Sequence, residues 1–99
     1  MVTLSGELDV ATRQSLRGSF ASLAAVSAAI IDLREVRYVD SASLAEFAWL
    51  ADRFRRREAD VVWVIAAGSH VERVLQISGL MQTMTIVATL AEAQARFSG

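Results

Sequence analysis

The chain has 99 residues, the size of one domain, and a single domain over residues 1–99 is expected. Hydrophobic residues make up 54% and charged residues 21%, which excludes a disordered chain. Ten basic and eleven acidic residues leave a net charge of −1, which argues against nucleic-acid backbones as partners, and the absence of cysteine excludes disulfides and thiolate metal sites.

Val2-Thr3-Leu4-Ser5 alternates apolar and polar residues, as a strand with one buried face does. After Gly6, Leu16, Phe20 and Leu23 recur at helical spacing and predict a first helix over Ala11–Ala25, started by Asp9 or Thr12. Ala28–Leu33 is an apolar run of strand length, the pattern of a parallel strand covered on both faces. Arg34–Val39 is expected to be a connection. A long helix follows over Leu44–Glu58, with Leu44, Phe47, Ala48, Ala51 and Phe54 on one stripe. Ser43 and Glu46 have the spacing of a capping box, which puts its start near Ser43.

Val61–Ala66 is a further buried strand, and the apolar run Val61–Ala67 is too short to span a bilayer. Ser69 and Glu72 repeat the capping-box spacing ahead of Val71, Val74 and Leu75, and Gly79 falls where a helix C-terminus needs a left-handed residue. Thr85–Ala88 is a last strand, and Thr89 with Glu92 opens a closing helix carrying Leu90, Ala93 and Phe97. The order β-α-β-α-β-α-β-α predicts an α/β fold: a mostly parallel or mixed four-stranded sheet with helices packed on it. No signal peptide is legible at the N-terminus, so the expected location is the cytoplasm, away from membranes.

No enzyme signature emerges. His70 is the sole histidine, and its plain role is a surface or capping residue rather than a base. Asp32 and Asp40 flank one strand-to-helix passage, as magnesium ligands or, more plainly, as a strand-end and a turn residue. Gly6 and Gly68 are isolated, so no phosphate-cradling loop is present, and neither a metal nor a cofactor is implied. Arg53, Arg55, Arg56 and Arg57 read as a solvated helix end favoured by the helix dipole. Val39-Asp40-Ser41-Ala42-Ser43-Leu44 presents a serine at the mouth of a helix. Such a serine is a cap in most chains, and a phosphate on it would meet free N–H groups and the positive helix end.

Three segments carry a family resemblance: Leu4-Ser5-Gly6-Glu7-Leu8-Asp9; Ile30-Ile31-Asp32-Leu33 through Tyr38-Val39-Asp40-Ser41-Ala42-Ser43-Leu44; and Val74-Leu75-Gln76-Ile77-Ser78-Gly79-Leu80. Over nearly its whole length the chain resembles a STAS domain of the anti-sigma factor antagonist type. The resemblance implies a non-enzymatic, partner-switching module that binds an anti-sigma factor, itself a serine kinase, and so frees a sigma factor. Kinase phosphorylation then releases the antagonist, and a phosphatase resets it. By position the modified serine is Ser41, and Glu7, Asp9, Asp40, Ala42 and Ser43 become candidate partner contacts. Two positions depart from the family's Asp-Ser-Ser-Gly motif: Ala42 replaces its second serine and Ser43 its glycine. Many relatives also have a strand before Val2-Thr3-Leu4, so an exposed sheet edge here leaves room for a partner or a weak homodimer. The alternative is a STAS subunit of a larger assembly, such as a lipid-transport complex, without a phosphorylation switch.

Helix geometry adds Trp49. At 100° per residue it lies nearly opposite the apolar stripe, with Arg53 and Arg56 beside it. It is either a tryptophan covered by stacking arginines or an aromatic anchor for a partner.

Overall fold

The computed structural model describes residues 1–23 and 25–97. The expectation of one domain over 1–99 also takes in residues 24, 98 and 99, which lie outside the described residues. In chain order the elements are β1 (Val2–Leu8), α1 (Arg13–Ala21), β2 (Ala28–Val39), α2 (Ser41–Arg56), β3 (Asp60–Val64) and α3 (His70–Ser78). A short 3₁₀ helix (Leu80–Thr83), β4 (Thr85–Val87) and α4 (Leu90–Phe97) complete it. The four strands form one sheet in the order β1-β2-β3-β4, and every neighbouring pair is parallel.

The sheet is covered on both faces. Right-handed crossovers in this strand order carry the connecting helices to one face. There Phe20 of α1, Phe47 and Phe54 of α2, and Val71 and Leu75 of α3 pack with Ile31, Leu33, Trp63 and Ile65. Trp63 is fully buried, its ring 5.3 Å from Phe47 and 6.1 Å from Phe20 in an edge-on contact. Full burial of a large apolar side chain is worth about 1.5–3 kcal/mol, so this aromatic trio is a substantial tie between sheet and helices. The alternate residues Ile30, Val62 and Val64 point to the other face, where Ala93 and Leu90 of α4 close over them.

Several element boundaries differ from the sequence reading. The stretch Arg34–Val39 is not a connection but the second half of β2, paired with β1 from Ser5↔Glu35 to Leu8↔Val39. Register shifts between Thr3 and Ser5 and between Gly6 and Glu7 each insert an extra β2 residue. Buried positions therefore fall three apart, at Leu33, Val36 and Val39, and the period of two that marks a strand is lost. Likewise β1 runs past Ser5 to Leu8. Gly6 does not end it but sits at φ 76° next to the second shift, a conformation that glycine adopts at no steric cost. The first helix is shorter than Ala11–Ala25, because the Asp9–Thr12 turn precedes it and Ser22 already closes its end. The strands β3 and β4 end two and one residues earlier than expected, where pairing with the neighbouring strand stops. Gly79 does hold the left-handed position, at φ 80°, and Ser69 caps α3 through the Glu72 N–H at 3.2 Å. Thr89 caps α4 in the same way, accepting from the Glu92 N–H at 3.1 Å.

Candidate functional site

The parallel sheet brings the ends of β1 and β2 to one edge of the molecule. Leu8 pairs with Val39, and the Asp40 N–H donates to the Leu8 carbonyl at 3.0 Å, fixing the two following loops against each other. Glu7 is exposed and pairs with Tyr38 in register. Asp9 is half-buried, and its carboxylate accepts from the Ala11 N–H at 3.0 Å, while Thr12 Oγ1 accepts from the Asp9 N–H at 3.0 Å. Asp9 and Thr12 thus build the turn that leads into α1, and no side chain caps that helix.

The second loop is a single residue. Asp40 follows β2 and caps α2, with Oδ1 accepting from the Ser43 N–H at 2.8 Å. That hydrogen bond is the chief reason its carboxyl is lowered from the ordinary value; the nearby Ser43 hydroxyl, although outside hydrogen-bonding geometry, acts in the same direction, and the positive charge of Arg13 adds to both. The cap is therefore Asp40 and not Ser43, and α2 starts at Ser41. Glu46, expected in a capping box, instead turns to α1: Arg17 Nε donates to Glu46 Oε1 at 2.6 Å. Ser43 lies in the first turn with 1% exposure, its hydroxyl without a hydrogen-bond partner among the described residues. Ser41, the first residue of the helix, is exposed, and its hydroxyl has no partner among the described residues. Ala42 is half-buried.

Glu7, Asp9, Asp40 and Ser41 are thus gathered at one end of the sheet, whereas the Ser43 side chain faces inward. Trp49 stands eight residues, about 12 Å, further along α2. It is 43% exposed, and Arg53 lies over its ring at 5.5 Å. Arg56, at i+7, bonds the Asp52 carboxylate together with Arg55. Arg57 covers Phe54 and donates to the Val26 carbonyl at 2.9 Å, so the arginine run ties down its own helix end rather than being merely solvated.

Two features escaped the sequence reading. His70 is stacked on Tyr38, the rings 5.4 Å apart and 16° from parallel, both residues exposed. The long β2 strand is what carries Tyr38 to the start of α3, and reading that stretch as a connection hid the contact. The other is a groove of about 430 Å³ between α1 and α2, walled by Arg13, Arg17, Ala21, Ala45, Glu46 and Trp49.

Asp32 and Asp40 do not meet. Asp32 lies within β2 and Asp40 follows its last residue, eight positions further on, about 26 Å for an extended chain. Asp32 is held by both arms of the Arg34 guanidinium, at 2.8 and 2.9 Å, which lowers its carboxyl pKa. Among the described residues no three histidine, aspartate or glutamate side chains converge as metal ligands, and no helix is long and apolar enough to cross a membrane.

The fold is an α/β domain with four parallel strands, in which an aspartate-capped helix presents an exposed serine at its start. The STAS domain family model matches residues 1–93, and the chain belongs to that family. Among similar solved structures, an anti-sigma factor antagonist from Mycobacterium paratuberculosis is 25% identical with a TM-score of 0.86, over 98% of this chain and 83% of that one. The anti-sigma factor antagonist SpoIIAA in its unphosphorylated form is 19% identical with a TM-score of 0.72, over 98% of this chain and 86% of that one. The Bacillus cell fate determinant SpoIIAA in its phosphorylated form is 24% identical with a TM-score of 0.67, over 95% and 86%. These last two establish a common fold. No curated protein sequence matches the chain.

Proposed function

We propose that this STAS domain is an anti-sigma factor antagonist that binds an anti-sigma factor serine kinase and is switched off by phosphorylation of Ser41. The observation that carries the reading is the exposed Ser41 hydroxyl on the first residue of α2, held beside the Asp40 cap and the Glu7–Asp9 loop. The similar antagonist from Mycobacterium paratuberculosis and the existence of phosphorylated and unphosphorylated SpoIIAA support it.

In the transfer step the Ser41 oxygen attacks the γ-phosphorus of ATP in the kinase. The bond from that phosphorus to the ADP oxygen breaks, and the hydroxyl proton leaves to a base of the kinase. The domain itself acts by binding, and a phosphatase would restore the free hydroxyl. The partner contacts are Glu7, Asp9, Asp40, Ser41, the backbone at Ala42, and Trp49 as the aromatic anchor further along α2. The action would take place in the cytoplasm, where sigma factors work.

A phosphate adds about −1.5 to −2 charges at neutral pH. Against an acidic partner group about 4 Å away, each unit charge costs roughly 4 kcal/mol at an effective dielectric of about 20. A net loss of about 2–3 kcal/mol lowers affinity roughly 30- to 150-fold, enough to release the partner.

Incubation with the cognate kinase and ATP, followed by mapping of the phosphate by mass spectrometry, tests the reading. Phosphate confined to Ser41 and absent from Ser41→Ala supports it. Labelling that persists in Ser41→Ala refutes the assignment of the switch. A domain that takes up no phosphate contradicts the switch and favours the alternative, a constitutive STAS subunit of a larger assembly.

A further inference from the structure

Arg13, the first residue of α1, lines the groove between α1 and α2 and has no hydrogen-bonded acceptor among the described residues. Its Nε is shielded from solvent and has no hydrogen-bond partner among the described residues, although the side chain as a whole is 38% exposed. The nearest carboxylate oxygen is Glu46 Oε1, at 3.6 Å, and that oxygen already accepts from Arg17 at 2.6 Å. Two guanidinium groups thus share one carboxylate, and Arg13 holds the longer, weaker position. A shielded donor with no acceptor is unfavourable, and a guanidinium offers five N–H donors in a fork that fits phosphate oxygens two at a time.

Helical spacing puts Ser41 at the margin of this arrangement. On α2 the residues Ser41, Ala45 and Trp49 recur every fourth position and form one stripe. Ala45, Glu46 and Trp49 are the α2 wall of the groove, and Ser41 begins the same helix one turn before Ala45, flanking the head of the groove beside Ala42. On α1 the facing stripe is Arg13, Arg17 and Ala21, with Arg13 at the same end. The positive charge of Arg13 also reaches the Asp40 carboxylate next to Ser41, which it helps to keep ionised, after the larger effect of the Ser43 N–H.

We propose that Arg13 is the internal receptor for a phosphate on Ser41, drawn off the shared Glu46 carboxylate and onto the phosphate oxygens. The proposal rests on the reading that Ser41 is the modified residue. The driving force is the larger charge of the phosphate together with paired, charge-assisted hydrogen bonds that Arg13 does not make with Glu46. Glu46 is then left to Arg17 alone, and the groove beside the half-exposed Trp49 changes its charge. Modification is thereby transmitted down the α1–α2 face as well as read directly at Ser41.

The test uses protein made with phosphoserine installed at position 41, which requires no kinase. The phosphate is titrated by phosphorus NMR in the wild-type protein and in Arg13→Gln and Arg17→Gln, each first shown by thermal unfolding to be folded. The expected midpoint lies at lower pH in the wild type than in Arg13→Gln, with Arg17→Gln close to the wild type. The Arg13 Nε–H resonance of the wild-type protein, which needs no substitution, is expected to move downfield on modification. Equal midpoints in the wild type and Arg13→Gln, an Arg17→Gln effect as large as that of Arg13→Gln, or an unmoved Arg13 resonance would overturn the proposal. Failure of the kinase to modify Ser41 bears only on the proposed function.

Discussion

Replacing Ser43 by alanine separates two accounts of how α2 begins, because they predict opposite signs. If Ser43 were the cap, its loss would cost about 1 kcal/mol. In the structure Asp40 caps the helix and Ser43 is inside it, its hydroxyl buried without a partner among the described residues. Alanine is favoured over serine within a helix by about 0.5 kcal/mol. Removing a buried hydroxyl that has no partner relieves a penalty of about 1–3 kcal/mol. Against this stand the lost contacts of one oxygen atom, about 0.1–0.2 kcal/mol for each neighbouring atom, and the favourable influence of the hydroxyl on the Asp40 carboxylate. The balance favours Ser43→Ala by about 1 kcal/mol, a rise in Tm of about 4–8 °C for a domain of this size. Thermal unfolding followed by circular dichroism measures it. A Tm lower than that of the wild type would refute the assignment of the cap to Asp40 and of a free hydroxyl to Ser43.

Asp40→Ala removes the real cap and is expected to lower Tm by about 5 °C in the same assay. Asp40→Asn keeps an acceptor for the Ser43 N–H but not the charge. The folded-state pKa of Asp40 is lowered, so its contribution is present above the unfolded value near 3.9 and is lost as pH falls through the folded value. Below about pH 4 the wild type is therefore expected to lose stability more steeply than Asp40→Asn in pH-dependent unfolding. Trp49→Ala removes a ring that is 43% exposed; Tm is expected to change little, while partner binding measured by titration calorimetry weakens by about 1 kcal/mol, roughly fivefold. A Trp49→Ala variant that unfolds would instead place the ring among the core contacts.

Much of the architecture was legible because its signals are local. The apolar stripe of Phe47, Ala51 and Phe54 fixed the phase of α2 and put Trp49 at the surface, where it lies. Gly79, Ser69 and Thr89 marked helix ends through chemistry confined to a single turn. What was not legible depended on partners far away in sequence. The second half of β2 owes its strand character to pairing with β1, and two register shifts erased its alternation. Glu46 looked like a capping residue because Ser43 stands three positions before it, yet its carboxylate is claimed by Arg17, 29 residues away. The Tyr38–His70 stack and the α1–α2 groove likewise form between distant segments. At the candidate site the position of Ser41 was readable from the motif, but the inward turn of Ser43 and the placement of Arg13 came only from the fold.

On the proposed function, charge on Ser41 decides whether the partner is held. The most direct measurement of this is the Kd of the anti-sigma factor for the unmodified domain and for the domain carrying phosphoserine at position 41, at one fixed ionic strength. The expected result is binding weakened at least about 30-fold by the phosphate, with Ser41→Ala binding like the unmodified domain. Equal affinity for the two forms, or loss of binding in Ser41→Ala, would contradict the account.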